Sequence, residues 1–250
     1  MTWLDALLLG LIQGLTEFFP VSSSTHLKLA ETFLGLKTEG LLFFDLICHL
    51  GTLTAALIYF KKELLLLIRQ KEKWLLMIAA LLPLIPCYFL FRPLRDVTNF
   101  QGVSLLLTSL LLFLASRSNE RLPQVEWKYR DMLFIGAMQG MALLPGLSRS
   151  GSTISAACFR GWDVKEAVKF SFILMIPTVF GGNLLEGWKV LSTPGAFTLP
   201  ISTLAIGFFT SFGVGMLGVR AMALFISKRG LKFFSVYCLI LGVMYTYLYG

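Results

Sequence analysis

The chain has 250 residues, 56% of them hydrophobic and 14% charged, with 22 Lys and Arg against 14 Asp and Glu for a formal net charge of +8. Soluble domains carry about 25% charged residues, so this composition excludes an ordinary globular protein and predicts an all-α polytopic membrane protein. The basic residues lie in short gaps between apolar runs rather than on one aromatic-bearing patch, so the expected partner is membrane lipid and not nucleic acid.

No basic residue precedes Lys28, and a secretory leader needs a basic segment ahead of its apolar core, so no cleavable leader is expected. In chain order, a first region at about 2–36 is apolar but broken by Pro, Gly, Ser and charge. Three unbroken stretches follow at about 43–60, 74–91 and 99–116, the second predicted to kink at Pro83 and Pro86. A second broken region covers about 129–162, and three more stretches cover about 167–184, 199–221 and 231–249. Each of the six unbroken stretches is long enough to cross about 30 Å of hydrocarbon. Cys48, Cys87, Cys158 and Cys238 stand singly in different apolar segments, without metal spacing, and read as packing residues.

The two broken regions resemble each other. Gly10, Gln13 and Gly14 align with Gly136, Gln139 and Gly140 at an offset of 126, and after a one-residue gap Pro20 and Ser23 align with Pro145 and Ser148 at 125. Downstream, FDLICHLGT from Phe44 matches FSFILMIPT from Phe170, again at 126. The pattern predicts one integral membrane domain made of two repeats, 1–124 and 125–250, each a broken segment followed by three spans. Because three is odd, the second repeat is inverted relative to the first, and the broken segments become re-entrant helical hairpins meeting near the midplane. With the 61–73 loop cytoplasmic, sixteen Lys and Arg fall on that side and five on the other, Arg149 being left inside the membrane. Both termini then face outward.

Ionisable groups inside a bilayer face a polar cavity or a partner. Glu17 and Arg149 are the clearest, one from each broken region, and the repeat brings them together, either as a functional pair or as a structural clamp. PGLSRSGST, residues 145–153, has the makings of an anion cradle: Gly146 and Gly151 admit close backbone approach, a helix starting near Ser150 adds its positive end, and Arg149 offers a planar fork. In the first region Gln13 and Glu17 share a helical face, Pro20 ends that helix, and Ser22, Ser23, Ser24, Thr25 and His26 follow. A serine beside a carboxylate and a histidine has nucleophile potential; the same carboxylate could instead hold Mg²⁺ or Ca²⁺, or the hydroxyls could only cap a helix. Asp45 and His49, four apart in the first span, fit either the same pocket or a local hydrogen bond.

These residues resemble the undecaprenyl-diphosphate phosphatases, the bacitracin-resistance membrane phosphatases of bacteria. One signature of that family appears as QGLTE, Gln13 to Glu17, running into PVSSSTH, Pro20 to His26; the other, P-G-x-S-R-S-x-x-T, is met in full by Pro145 to Thr153. The resemblance extends over essentially the whole chain. It implies a multi-pass protein of the bacterial inner membrane that hydrolyses a polyprenyl diphosphate lipid to the monophosphate carrier and releases phosphate on the outer, periplasmic side. It also implies a divalent cation, Mg²⁺ or Ca²⁺, and leaves room for a homodimer. Residue by residue, Glu17 and Gln13 become the acidic or metal-associated face, Ser23 the nucleophile and His26 an acid/base or orienting group. Ser148, Arg149, Ser150 and Thr153 become diphosphate binders, with Arg149 counted among the catalytic groups. Two departures stand out: Gln13 where many members carry Glu, and Thr25 where a glycine is common.

The rival reading is a lipid-carrier transporter or flippase, since inverted repeats suit alternating access. Lipid phosphatases with a histidine nucleophile are a poorer match, because the chain lacks their K-x6-R-P signature and no histidine follows Arg149.

Overall fold

In the computed structural model, residues 1–36, 41–91, 93, 100–119, 126–192 and 199–249 are described. Among them there are twelve α-helices and no strand: α1 Trp3–Thr16, α2 Ser23–Phe33, α3 Leu41–Tyr59, α4 Lys61–Arg69, α5 Lys71–Leu81, α6 Leu84–Phe91, α7 Gln101–Ser116, α8 Tyr129–Met141, α9 Arg149–Phe159, α10 Val164–Leu191, α11 Ile201–Phe225 and α12 Lys228–Tyr249.

Among the described residues, five helical stretches are long and apolar enough to cross a membrane: Leu41–Tyr59, Lys71–Phe91, Val164–Val190, Ile201–Leu224 and Lys228–Tyr249. They correspond to five of the six expected spans and make the chain a multi-pass membrane protein. The second is broken between α5 and α6 at Leu82 and Pro83, where the proline lacks the N–H that would continue the ladder. The remaining expected span, 99–116, is seen as α7, whose sixteen residues reach about 24 Å, short of the hydrocarbon thickness; residue 99 lies outside the described residues. So do Lys37, Arg92, Arg95 and Arg121 of the charge asymmetry.

The broken regions form two helical hairpins, α1–α2 and α8–α9. A capping box starts α1: Asp5 N donates to Thr2 Oγ1 at 3.2 Å and Thr2 N to Asp5 Oδ2 at 2.6 Å. The helix stops at Thr16 because Pro20 has no N–H for the Thr16 carbonyl. In the second hairpin the Ser148 side chain caps α9 by accepting from Gly151 N at 3.1 Å, so the helix expected near Ser150 begins one residue earlier. Trp3 and Tyr129, like Ser23 and Arg149, stand 126 residues apart, the separation also found between Ser109 and Ser235. The starts of α2 and α9 thus keep the 126-residue spacing, whereas the expected alignment of Ser23 with Ser148 has 125.

Glycine explains how these hairpins seat. α1 packs on α11, and a Cβ at Gly14 would lie 2.7 Å from Val214 Cβ and 3.0 Å from the Ser211 carbonyl. α8 packs on α5 and α6, and a Cβ at Gly140 would lie 2.8 Å from Cys87 Cβ. Gly14 and Gly140 thus serve one purpose in the two hairpins, letting two helix backbones approach without a side chain between them. The interior holds Trp162, Phe18, Phe44 and Phe172, while Trp188, Phe209 and Tyr247 stand outward on the surface that lipid covers.

Candidate active site

The turns that open α2 and α9 meet at one cavity of about 180 Å³, lined by Ser22, Ser23 and Ser24 from one hairpin and Ser148, Arg149 and Ser150 from the other. Glu17, Phe19, His49 and Val179 also stand in its wall. Two helix N-termini facing one small polar space make a site for an anion, since each presents unpaired N–H groups and a partial positive charge.

Glu17 is the hub. It is 5% exposed, and its carboxylate accepts from Ser23 Oγ at 2.8 Å and from Gln13 Nε2 at 2.9 Å, both through Oε2. Its other oxygen, Oε1, accepts from Arg149 Nη2 across 132 residues of sequence. The expected meeting of the two hairpins through Glu17 and Arg149 is therefore present. Arg149 keeps a buried second arm, Nη1, without a partner. One arm of the fork is committed to Glu17, and the other is a donor waiting for an acceptor.

The turn before α2 bends at Ser22, the only non-glycine with positive φ among the described residues, at +67°. Such strain persists where its surroundings hold it: the Ser22 hydroxyl lies 3.1 Å from Thr25 Oγ1, and its carbonyl accepts from His26 Nδ1 at 2.8 Å. Thr25 lies inside α2 and leaves this turn to Ser22.

Of the residues singled out in the sequence, Glu17, Ser23, Arg149, Ser148 and Ser150 line the cavity, and Gln13 touches it through Glu17. Ser148 also donates its N–H to Thr108 Oγ1 at 3.1 Å, and Ser150 Oγ donates to the Phe19 carbonyl at 3.1 Å, tying the hairpins to α7 and to each other. His26 and Thr153 are placed elsewhere. Both ring nitrogens of His26 are taken, Nδ1 by Ser22 and Nε2 by the Tyr237 hydroxyl at 2.7 Å, and the ring stacks on Tyr237. Thr153 is fully buried, and its hydroxyl bonds the Arg149 carbonyl at 3.0 Å and Ser171 Oγ at 2.6 Å. It braces the first turn of α9 from behind. Gly146 and Gly151 serve packing rather than ligand approach: Gly146, at φ +87°, would put a Cβ 2.6 Å from Gln101 Cα, and a Cβ at Gly151 would be 3.1 Å from Thr108 Cγ2.

The imidazole that does reach the site is His49. Its Nδ1–H donates to the Asp45 backbone carbonyl at 2.8 Å, which leaves Nε2 facing Glu17 Oε2 at 3.7 Å. The i, i+4 spacing marked this residue in the sequence, but only the fold aims it.

As a cation seat the Gln13–Glu17 face fits poorly. Both oxygens of its single carboxylate are engaged, and a divalent ion there would sit against the fixed guanidinium of Arg149. The Gln13 amide oxygen is buried and unpartnered, but one neutral ligand does not make a divalent site.

Comparison with known proteins adds the family. The model described as "Bacitracin resistance protein BacA" matches residues 6–244. A Protochlamydia amoebophila protein named undecaprenyl-diphosphatase is 40% identical over 253 residues, covering 98% of each chain. A protein of the same name from Carboxydothermus hydrogenoformans is 40% identical over 97% of this chain and 96% of its own, and one from Alkaliphilus metalliredigens is 36% identical over 97% of both. The protein belongs to the BacA family of bacitracin resistance proteins.

Proposed function

We propose that this protein hydrolyses undecaprenyl diphosphate to undecaprenyl phosphate and inorganic phosphate, the reaction named for its relatives, with Ser23 as nucleophile. The observation that carries the reading is the hydrogen bond from Ser23 Oγ to Glu17 Oε2, in a cavity where Arg149 holds Oε1 and keeps Nη1 unpartnered. Ser23 Oγ attacks the terminal phosphorus and passes its proton to Glu17. The bond from that phosphorus to the bridging oxygen breaks, and the lipid monophosphate leaves with the bridging oxygen. Water then cleaves the phosphoserine, with Glu17 returning the proton to Ser23 Oγ. Arg149 Nη1 and the α2 and α9 N-termini stabilise the charge that builds on the phosphoryl oxygens. A transporter needs binding groups but not a serine held against a carboxylate, so hydrolysis is favoured over transport.

We place the site in an inverted repeat of six spans and two re-entrant hairpins in the bacterial inner membrane, opening to the outer side. Ser109 Oγ donates to the Ser235 carbonyl at 2.7 Å, and Ser235 Oγ donates to the Ser109 carbonyl at 2.9 Å. Reciprocal bonds between residues one repeat apart are what a twofold axis produces. A contact between Gly102 and Gly242 lies seven residues to either side of that pair, so α7 and α12 run antiparallel and the axis crosses them, as inversion requires. The sixteen-to-five charge bias supports this orientation.

The test is phosphate release from the C55 diphosphate by purified protein, with rapid acid quenching and mass mapping of Ser23. A phosphoserine at 23 is expected; wild-type turnover in Ser23→Ala would end the nucleophile assignment. The same assay with and without chelator tests the divalent-cation requirement, and detergent-corrected mass tests the homodimer.

A further inference from the structure

The hydrolysis proposed above leaves one proton without an acceptor. Glu17 takes the Ser23 proton in the first half-reaction and returns it to Ser23 Oγ in the second, so it is occupied when water attacks the phosphoserine. Its carboxylate is also closed to water: the side chain is 3% exposed, and Ser23, Gln13 and Arg149 already donate to it. A second base within reach of the attacking water is needed.

His49 meets that need. It lines the catalytic cavity, and its side chain is 26% exposed. The Asp45 carbonyl holds Nδ1–H at 2.8 Å, which fixes the neutral ring as the tautomer with a lone pair on Nε2. Nε2 lies 3.7 Å from Glu17 Oε2, beyond hydrogen-bonding distance, and has no donor among the described residues.

His49 also lines a second chamber, of about 650 Å³, which shares Ser24, His49 and Ala142 with the catalytic cavity. Lys28 and Glu31 of α2, Asp45 of α3 and Gln101 at the start of α7 stand in its wall. The Glu31 and Asp45 carboxyls are in hydrogen-bonding contact and share a proton, and Lys28 Nζ, 3.8 Å from Glu31 Oε2, balances the remaining charge. Two acceptors in this wall, Asp45 Oδ1 and Gln101 Oε1, are buried without a protein donor. Water is the donor that suits them in a polar space of this size. His49 thus stands where a hydrated chamber joins the phosphoryl site.

We propose that His49 is the general base of the second half-reaction and that its water comes from this chamber; the inference rests on Ser23 as nucleophile. The water oxygen bonds to the phosphorus carried by Ser23 while His49 Nε2 takes one of the water's protons. The phosphorus–Oγ bond breaks, and Glu17 gives its proton to Oγ. Ser23 and Glu17 are then restored, inorganic phosphate leaves, and the proton on Nε2 passes to the chamber's water. With the terminal phosphate fully ionised, diphosphate hydrolysis releases one proton overall, and this is that proton.

The experiment is rapid-quench turnover of the C55 diphosphate by the full chain in detergent. Lipid monophosphate, inorganic phosphate and the phosphoserine at 23 are followed in wild type and in His49→Gln. Steady-state phosphate release by His49→Gln should fall by at least about 10²-fold. Its first turnover should stay close to the wild-type rate, so lipid monophosphate appears as a burst and phosphoserine accumulates at 23 toward full occupancy. A purely structural role for His49, such as steadying Glu17, would slow both half-reactions together, with neither burst nor accumulation. That result, or phosphate release within a few-fold of wild type, would overturn the proposal. Thermal unfolding checks the fold of each variant. Should His49→Gln not fold, His49→Asn, whose amide can keep the bond to the Asp45 carbonyl, takes its place. Failure of the nucleophile reading looks different: Ser23→Ala hydrolyses the substrate, and no phosphoserine forms in wild type or in the His49 variants.

Discussion

The α1–α2 and α8–α9 hairpins share a helix plan and differ in their chemistry. In both, a glycine-faced helix packs closely on a neighbour, a short turn follows, and a second helix begins 126 residues from its counterpart. At its first position α2 carries Ser23, and α9 carries Arg149. Gln13 has Glu17 as partner, whereas Gln139, its counterpart, is buried with both amide atoms unpartnered and has Leu143 where Glu17 would stand. One hairpin holds the Glu17 carboxylate and Ser23, the proposed nucleophile, and the other holds the Arg149 guanidinium. Two similar hairpins supply two converging helix N-termini; the proposed reaction needs them to differ, because two identical halves would face the substrate with like charges.

The comparison breaks most completely in the first hairpin. Glu17→Gln should lower phosphate release by about 10³-fold, and Ser23→Ala by at least as much, whereas Ser24→Ala, beside it and exposed, should be milder. Equal losses at 23 and 24 would show a hydroxyl cluster acting as a whole rather than a single nucleophile.

The second hairpin is tested by Arg149→Lys, expected to cost about 10²-fold in turnover although the charge is kept. A guanidinium can hold Glu17 with one arm and a phosphoryl oxygen with the other; an ammonium at the end of a thinner stem does not reproduce that fork. Near-normal turnover would reduce Arg149 to a clamp between hairpins.

His26→Gln sharpens the division, with an expected loss below about tenfold, because both of its ring nitrogens are engaged away from the cavity. Tyr237→Phe should mimic it. A loss in His26→Gln as deep as that in Ser23→Ala would mean that this ring, and not His49, serves the reaction.

The smallest effects should come from the supports. Gly14→Ala and Gly140→Ala should each lower stability by about 1–3 kcal/mol, read from thermal unfolding, because each forces a methyl group into a helix contact. Thr153→Val should cost about 1–2 kcal/mol through its buried hydroxyl bonds, with only a few-fold change in turnover. Unequal penalties at Gly14 and Gly140 would locate where the two hairpins cease to be equivalent.

Hydrophobic runs, prolines and glycines act through neighbours close in sequence, so the helices, the break at Pro83 and the two hairpins were legible in the residues alone. The meeting of Glu17 with Arg149 was expected from the likeness of the two broken regions, and the structure shows that contact. What the sequence could not settle was direction. His26 and His49 are both four residues from plausible partners, and helical spacing does not say which ring turns to Glu17; α12 decides it by placing Tyr237 against His26. Thr153 lies in a phosphatase signature, yet Ser171 on α10 draws its hydroxyl behind the cavity. Glu31, Asp45 and Gln101 are far apart in sequence and carry no shared motif, so their chamber exists only once α2, α3 and α7 have packed. Sequence specified which groups the protein carries and on which helices; tertiary packing alone chose which of them face one another, because that choice depends on side chains contributed from elsewhere in the chain.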